Sequence, residues 1–182
     1  MRPYRVVVTG SECTGKTSLA RALAELFGAP WAPEFSRGWA EGRGRPLDAS
    51  DVEPIARGQL AAADAAEALA GELLVLDTDL VSTAVYARHY YGSCPPWVDE
   101  ACRARRADLY LLCAPDVPWQ ADGVRDRGDR REEMHRLFVR ALEDLGAPVR
   151  VVSGTGPARE TAAAGAVDEA LRTRRTARPA SG

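Results

Sequence analysis

An α/β fold is predicted, with a parallel sheet of about five strands flanked by helices. Short apolar runs alternate with longer stretches of helical periodicity along the chain, and turn residues separate them. Strands that alternate with helices favour parallel pairing through right-handed crossovers. Ligands of such sheets bind at the carboxyl ends of the strands, so we expect the chemistry of this protein there.

Each element follows from its local pattern. The first apolar run is rich in valine, and Gly28, Gly92 and Gly146 stand where helix C-caps are expected. Residues 50–53 have the pattern of a capping box, which predicts a helix start. The predicted strands are residues 5–9, 30–34, 73–76, 109–113 and 149–152. The predicted helices are residues 16–27, 51–70, 80–91, 97–106, 130–145 and 158–172.

Composition is that of an ordinary folded domain. The 182 residues are 46% hydrophobic and 27% charged, and a net charge of -2 argues against bulk attraction to nucleic acid. The cysteines lack CxxC spacing, so neither zinc nor a disulfide framework is indicated. No apolar run suits a signal peptide or membrane span, so we expect a cytoplasmic protein without membrane or nucleic-acid partners. We predict one domain over residues 1–172 and a flexible tail over residues 173–182. The sequence contains no pattern that indicates an oligomeric state.

One absent residue type and one that occurs only once exclude competing classes of protein. Lys16 is the only lysine, and the chain contains no asparagine. A guanine-reading Asn-Lys-x-Asp or Thr-Lys-x-Asp element cannot exist, nor can the asparagine of a protein-kinase catalytic loop.

The segment from residue 10 to residue 17 carries the strongest motif. It reads Gly-Ser-Glu-Cys-Thr-Gly-Lys-Thr, which matches G-x-x-x-x-G-K-[ST] between a predicted strand and a predicted helix. The backbone N–H groups of such a loop face phosphates, while Lys16 reaches the β- and γ-phosphates and Thr17 holds magnesium. A P-loop NTPase that binds ATP and Mg²⁺ is therefore predicted. The predicted nucleotide-binding residues are Gly10, Ser11, Glu12, Cys13, Thr14, Gly15, Lys16, Thr17, Ser18 and, from a later loop, Arg127.

Carboxylates follow two further predicted strands. Asp77 ends a buried apolar run, as a magnesium-side carboxylate does, and Asp79 either takes part in catalysis or caps the next helix. Glu34 closes the second strand at the same edge, where a carboxylate can orient or deprotonate an acceptor hydroxyl. The alternative for Glu34 is a surface ion pair with Arg37.

An arginine-rich loop runs from Trp119 to Arg131, between a strand and an amphipathic helix. A lid of this kind would bring Arg125 and Arg127 over the γ-phosphate, neutralise developing charge and exclude water. A solvated charged loop is the alternative.

These motifs occur together in the order typical of one family. With the P-loop, Pro33-Glu34-Phe35-Ser36-Arg37, Leu76-Asp77-Thr78-Asp79 and Pro118-Trp119-Gln120-Ala121-Asp122-Gly123-Val124-Arg125 resemble the nicotinamide riboside kinase domain of the bifunctional bacterial NAD-biosynthesis regulators. The resemblance spans about residues 5 to 155. It implies a nucleoside- or nucleotide-kinase-like fold and transfer of phosphate from ATP to the 5′-hydroxyl of nicotinamide riboside. Because the chain begins at the P-loop strand, we expect no adenylyltransferase or DNA-binding module.

The resemblance also implies that Lys16, Thr17 and Asp77 act at the nucleotide and metal and that Glu34 faces the nucleoside. The strand-end and loop patterns add the other candidates. The catalytic candidates are Lys16, Glu34, Asp79 and Arg125, and the metal candidates are Thr17 and Asp77. The substrate candidates are Glu34, Phe35, Arg37, Trp39, Asp77, Asp79, Trp119 and Asp122. Aromatic faces from Trp31, Phe35, Trp39 and Trp119 would suit a pyridinium ring. Gly38 stands where relatives commonly have an acid, which leaves the nucleoside contacts open.

Two other functions stay open. One is a nucleotide-binding regulatory protein with little turnover. The other is a kinase for a deoxynucleoside or another small molecule, which would share this architecture.

Overall fold

The structure, a computed structural model, describes residues 2–117 and 131–177. Its centre is one sheet of five strands, all parallel, in the order β2-β3-β1-β4-β5. The strands are β1 Tyr4–Thr9, β2 Trp31–Ala32, β3 Leu73–Asp77, β4 Leu109–Cys113 and β5 Val149–Val152. The predicted α/β fold with five parallel strands is confirmed.

Helices cover both faces of the sheet. They are α1 Lys16–Phe27, α2 Phe35–Arg43, α3 Val52–Glu67, α4 Leu80–Tyr91, α5 Pro96–Ala104, α6 Arg131–Asp144 and α7 Gly156–Thr176, with a short 3-10 helix at Ala49–Asp51. The described part of the chain contains no helix long and apolar enough to cross a membrane.

Alternate residues of the central strands enter two cores on opposite sides of the sheet. Val7 and Leu74 pack with α3, α4, α5 and α6, whereas Val6 and Val75 pack with α1 and α7. Because both faces are covered, the central strands are continuous apolar runs, and this explains why the sequence located them so well.

Helix α2 is the main departure from the prediction, which placed no helix between residues 35 and 43. Its sequence has two glycines and no fully buried residue, so hydrophobic periodicity could not reveal it. Tertiary contacts hold it instead, because the Phe35 ring packs onto Gly58 of α3 and Trp39 donates to Asp51. Since α2 starts at Phe35, β2 has only two residues and is shorter than predicted.

Two boundaries also differ. The capping box is formed by Asp48 and Asp51 around the 3-10 helix, and not over residues 50–53 as predicted. Helix α7 continues to Thr176, so the first residues assigned to a flexible tail are helical. Arg175 pairs with Glu72 there, at 2.7 Å and 2.5 Å. Residues 178–182 lie outside the described part.

Candidate nucleotide and acceptor site

The P-loop joins β1 to α1 at the carboxyl edge of the sheet. Gly10 has φ of 135°, and a Cβ at this position would lie 2.9 Å from the Cys113 carbonyl oxygen. Gly15, with φ of 73°, is the N-cap of α1 and brings no side chain to cover the first N–H groups. The Thr14 hydroxyl donates to the Ser11 carbonyl at 2.8 Å and closes the loop. The N-terminus of α1 is therefore free of side-chain capping and suits an anion.

Lys16 lies across this loop. It is buried, and its Nζ donates to the Ser11 carbonyl at 2.8 Å. The positive charge of Lys16 is thus held against the residues that the motif assigns to phosphate.

Asp77, at the end of β3, is the centre of the predicted catalytic group. Burial raises the pKa of its carboxyl, the Thr17 hydroxyl lowers it, the negative charge of Glu34 raises it, and Lys16 and Arg37 lower it. Four residues of two other motifs therefore lie close enough to influence the Asp77 carboxylate. Both Asp77 oxygens are buried and lack a hydrogen-bond partner of good geometry among residues 2–117 and 131–177. Asp77 and Thr17 could hold a metal ion.

Glu34, the N-cap residue of α2, is the second carboxylate near Asp77. Its side chain is only 7% exposed, accepts a hydrogen bond from the Ser36 hydroxyl at 2.7 Å, and lies 4.0 Å from the Arg37 guanidinium. The ion-pair alternative thus holds in part, but the carboxylate is buried at the strand ends and not on the surface.

Asp79 occupies a different environment from Asp77. Thr78 between them has φ of 66°, so the chain turns sharply. The Asp79 carboxylate caps α4 by accepting from the Val81 N–H at 3.0 Å, and it accepts from the Tyr110 hydroxyl at 2.8 Å. Burial raises the pKa of Asp79 to about 6. The capping alternative is observed, whereas the predicted catalytic and substrate roles of Asp79 gain no support from this geometry.

A cavity of about 790 Å³ opens beside the P-loop, between α2, the 3-10 helix, α3 and α4. The Tyr86 and Tyr90 rings on its wall are nearly parallel, with an interplanar angle of 6° and centroids 6.0 Å apart. Of the charged residues described along its wall, Arg45 is basic and four are acidic: Glu12, Glu41, Asp48 and Asp51. Arg45 pairs with Asp48 and Asp51, at 3.0 Å and 2.8 Å, and Arg43 also pairs with Asp51 at 3.2 Å. The cavity is therefore aromatic and has more acidic than basic residues on its wall, with part of the negative charge compensated.

The aromatic residues predicted for the substrate lie elsewhere. Phe35 and Trp39 form a pair 5.9 Å apart on α2, but neither lines the cavity. Arg43 covers the Trp39 ring at 4.5 Å, and Arg21 covers the Trp31 ring at 5.1 Å. Trp31, Phe35 and Trp39 therefore do not line this cavity, and their role toward a substrate stays a prediction. Trp119, Asp122, Arg125 and Arg127 lie outside the described residues, so their roles stay predictions.

Sequence reasoning missed several residues at this site. Tyr86 and Tyr90 have the i, i+4 spacing that an ordinary helix face also shows. Gln59 is a buried polar residue on the apolar face of α3; its amide oxygen accepts from the Phe35 N–H at 2.9 Å. Its amide nitrogen reaches the Thr78 carbonyl at 3.5 Å, so Gln59 ties the end of β2 to the end of β3. The sequence feature that could have revealed Gln59 is a single glutamine within the apolar face of a predicted helix.

Comparisons with known proteins identify the family of this chain. Residues 5–159 match the family model described as an AAA domain. The chain belongs to that family. Among curated proteins it is similar to the "Trifunctional NAD biosynthesis/regulator protein NadR" of Escherichia coli (strain K12), with 33% identity over 145 residues. The same protein of Salmonella typhimurium is 32% identical over 145 residues. Each alignment covers 76% of this chain and 35% of the relative, so the chain spans about a third of the length of those proteins.

Solved structures give the same result. A NadR protein in complex with NR has a TM-score of 0.76 at 29% identity, covering 93% of this chain and 52% of that one. A NadR protein in complex with NAD and AMP-PNP has a TM-score of 0.73 at 27% identity, covering 93% and 50%. A thymidylate kinase from Ehrlichia chaffeensis, at 14% identity and a TM-score of 0.63, covers 94% and 100% and shares the fold alone. The predicted resemblance to the NAD-biosynthesis regulators is confirmed.

Proposed function

We propose that this chain is an ATP-dependent kinase that phosphorylates the 5′-hydroxyl of nicotinamide riboside and gives nicotinamide mononucleotide. The observation that carries the proposal is the acidic, tyrosine-lined cavity that reaches the P-loop at Glu12. A donor on the loop and an acceptor in the cavity would meet at the strand ends, where parallel sheets bind ligands. The NadR complexes with NR and with AMP-PNP support this pair of ligands.

The donor half rests on the P-loop. Its N–H groups and the N-terminus of α1 offer hydrogen bonds to phosphates, and Lys16 adds a positive charge. Lys16 and Arg37 both act on the Asp77 carboxyl, so positive charge is available beside the proposed metal ligand. Positioning and charge stabilisation supply most of the catalysis of phosphoryl transfer. Arg125 and Arg127 complete the proposal as lid arginines.

Asp77 and Thr17 have the donor atoms that Mg²⁺ prefers. The two buried Asp77 oxygens without a described partner are an arrangement that a cation would relieve. A carboxylate and a hydroxyl, together with phosphate oxygens, form a usual Mg²⁺ ligand set. The bound ion would neutralise phosphate charge.

Glu34 is the residue that we propose to orient or deprotonate the acceptor hydroxyl. The Ser36 hydroxyl fixes the Glu34 carboxylate, and Ser36 itself lines the cavity. Glu34 therefore contacts a residue of the cavity wall and acts on the Asp77 carboxyl, as we expect of a base that serves an acceptor in this cavity.

The acceptor preference follows from the charge of the cavity. The nicotinamide ring of the riboside is a pyridinium cation, which the excess of acidic residues would attract. The faces of Tyr86 and Tyr90 would add a cation–π contact of about 0.5 to 2 kcal/mol. One such contact corresponds to roughly a tenfold preference over a neutral ring.

A substrate panel tests the proposal. ATP-dependent turnover is measured with nicotinamide riboside, uridine, cytidine and deoxynucleosides under identical conditions. The proposal expects the highest kcat/KM for nicotinamide riboside; a higher value for uridine or a deoxynucleoside would make the chain a kinase of another acceptor. Failure of every acceptor to stimulate ADP release would favour a regulatory nucleotide-binding protein.

A pair of variants locates the preference. Tyr90→Leu removes one aromatic face of the cavity and should lower the ratio of nicotinamide riboside to uridine turnover by about three- to tenfold. Trp31→Leu is the matched control, because Trp31 does not line the cavity and packs on the face of the sheet that α1 covers, and it should leave that ratio unchanged. The reverse pattern would place the acceptor on the side of the sheet that carries Trp31.

We also propose a cytoplasmic location. The four cysteines are free thiols, which a reducing compartment maintains, and ATP is abundant there.

A further inference from the structure

Arg159 is a buried arginine next to the P-loop that none of the motifs includes. It lies in the first turn of α7 and is 5% exposed. Its Nη1 donates to the Gly154 carbonyl at 3.2 Å, and the same atom lies 3.8 Å from the Cβ position of Gly15. Its guanidinium also interacts with the Cys113 thiol at the end of β4. One side chain thus contacts the β5–α7 loop, the P-loop and β4.

The charge of Arg159 is not balanced by the described protein. Over residues 2–117 and 131–177 it forms no ion pair with a carboxylate, and its buried Nε and Nη2 have no hydrogen-bond partner. Burial raises the pKa of the neighbouring Cys113 thiol, which stays neutral and is no counter-ion. An arginine cannot relieve this situation by losing its proton. An isolated buried cation is unfavourable, so its position calls for a negative charge nearby.

The nearest functional element is the phosphate-binding loop. Gly15, against which the guanidinium packs, caps α1 at the point where N–H groups face an anion. Cys113, the second neighbour of Arg159, lies against Gly10 at the other end of the loop. Arg159 therefore lies next to Gly15 at one end of the P-loop and next to a neighbour of Gly10 at the other end, and its positive charge adds to that of Lys16 and of the α1 N-terminus.

We propose that Arg159 is a positioning residue of the nucleotide site, which braces the P-loop and supplies a fixed positive charge for the phosphates of a nucleoside triphosphate. The inference rests on the nucleotide half of the proposed function and does not depend on the acceptor. A charge acting on the phosphates must matter more for a triphosphate than for a ligand with fewer charges. A brace with no electrostatic role would affect all adenosine ligands alike.

The test is calorimetric titration of the chain with ATP, ADP and adenosine, without acceptor. Arg159→Met should weaken ATP binding by about 10- to 100-fold, ADP binding less, and adenosine binding by less than about threefold. Arg159→Lys keeps the charge and should restore most of the ATP affinity. Arg172→Met is the matched control, because Arg172 lies on the same helix with its side chain 72% exposed, and it should change nothing.

Equal losses for ATP and adenosine, or unchanged ATP affinity in folded Arg159→Met, would overturn the inference. If Arg159→Met does not fold, Arg159→Lys decides: affinity within about threefold of the parent supports the inference, and a loss beyond about tenfold overturns it. A chain that binds ATP through Arg159 but does not phosphorylate nicotinamide riboside would refute the proposed acceptor alone.

Discussion

Replacing Gly58 by alanine tests how α2 is held beside the P-loop. Gly58 lies inside α3, and an added Cβ would lie 2.2, 2.3 and 2.5 Å from the Cε1, Cζ and Cδ1 atoms of Phe35. The Phe35 ring must therefore move, and α2 begins at that residue. Because Glu34 directly precedes Phe35, the displacement reaches the proposed base.

The magnitude is the difference between two opposing effects. Alanine is favoured over glycine in a helix interior by about 0.5 to 1 kcal/mol. Forcing extra volume into a packed contact costs about 1 to 3 kcal/mol. We expect Gly58→Ala to lower the free energy of unfolding by about 0.5 to 2 kcal/mol.

Gly165→Ala is the matched control, because Gly165 lies inside α7 with no other group within 4 Å of its Cβ position. It should raise the free energy of unfolding by about 0.5 to 1 kcal/mol. Urea unfolding measures both variants, and kcat measures the effect on Glu34. Adding Phe35→Leu to Gly58→Ala should recover stability, since the smaller side chain removes the clash. If Gly58→Ala were as stabilising as Gly165→Ala, the packing argument for α2 would be refuted.

Three further predictions concern the charged residues of the site. Lys16→Ala should abolish phosphoryl transfer with the thermal unfolding midpoint nearly unchanged, and retained activity would contradict the P-loop assignment. Glu34→Gln should lower kcat by about 10² to 10⁴ with ATP affinity unchanged; a loss confined to ATP binding would move Glu34 to the donor side. Folding raises the pKa of Asp79 from 3.8 to about 6. The contribution of Asp79 to the free energy of unfolding is therefore fully present below pH 3.8, where the group is protonated in both states, and falls as pH rises towards 6. This fall amounts to about 3 kcal/mol and should be missing from urea unfolding of Asp79→Asn; an unchanged pH dependence would mean that another group titrates.

The central strands and the P-loop were readable from the sequence because their causes are local. A run such as residues 73–76 is apolar throughout because helices cover both faces of the sheet. Helix α2 was not readable, since it is held by Phe35 on Gly58 and by Trp39 on Asp51, contacts that appear only after folding.

The same distinction explains why the two carboxylates were predicted and the residues that line the cavity were not. Glu34 and Asp77 were predictable because parallel strands bring their ends to one edge. Which aromatic rings would line the acceptor cavity depends on how α2 and α4 rotate about their axes, and no local pattern gives that angle. No local sequence pattern pointed to Arg159, because its contact with Gly15 joins opposite ends of the chain.

The cavity wall and the two carboxylates proposed as base and metal ligand belong to different parts of the architecture. Strand ends, tied by Gln59, carry Glu34 and Asp77, whereas α2 and α4 contribute small wall residues such as Ala40, Thr83 and Ala87. Enlarging or filling the wall at these three positions leaves the strand ends in place. If the chain is the proposed kinase, its range of acceptors can therefore diverge among descendants of this domain, by drift or by engineering, while the proposed phosphoryl-transfer residues are inherited intact.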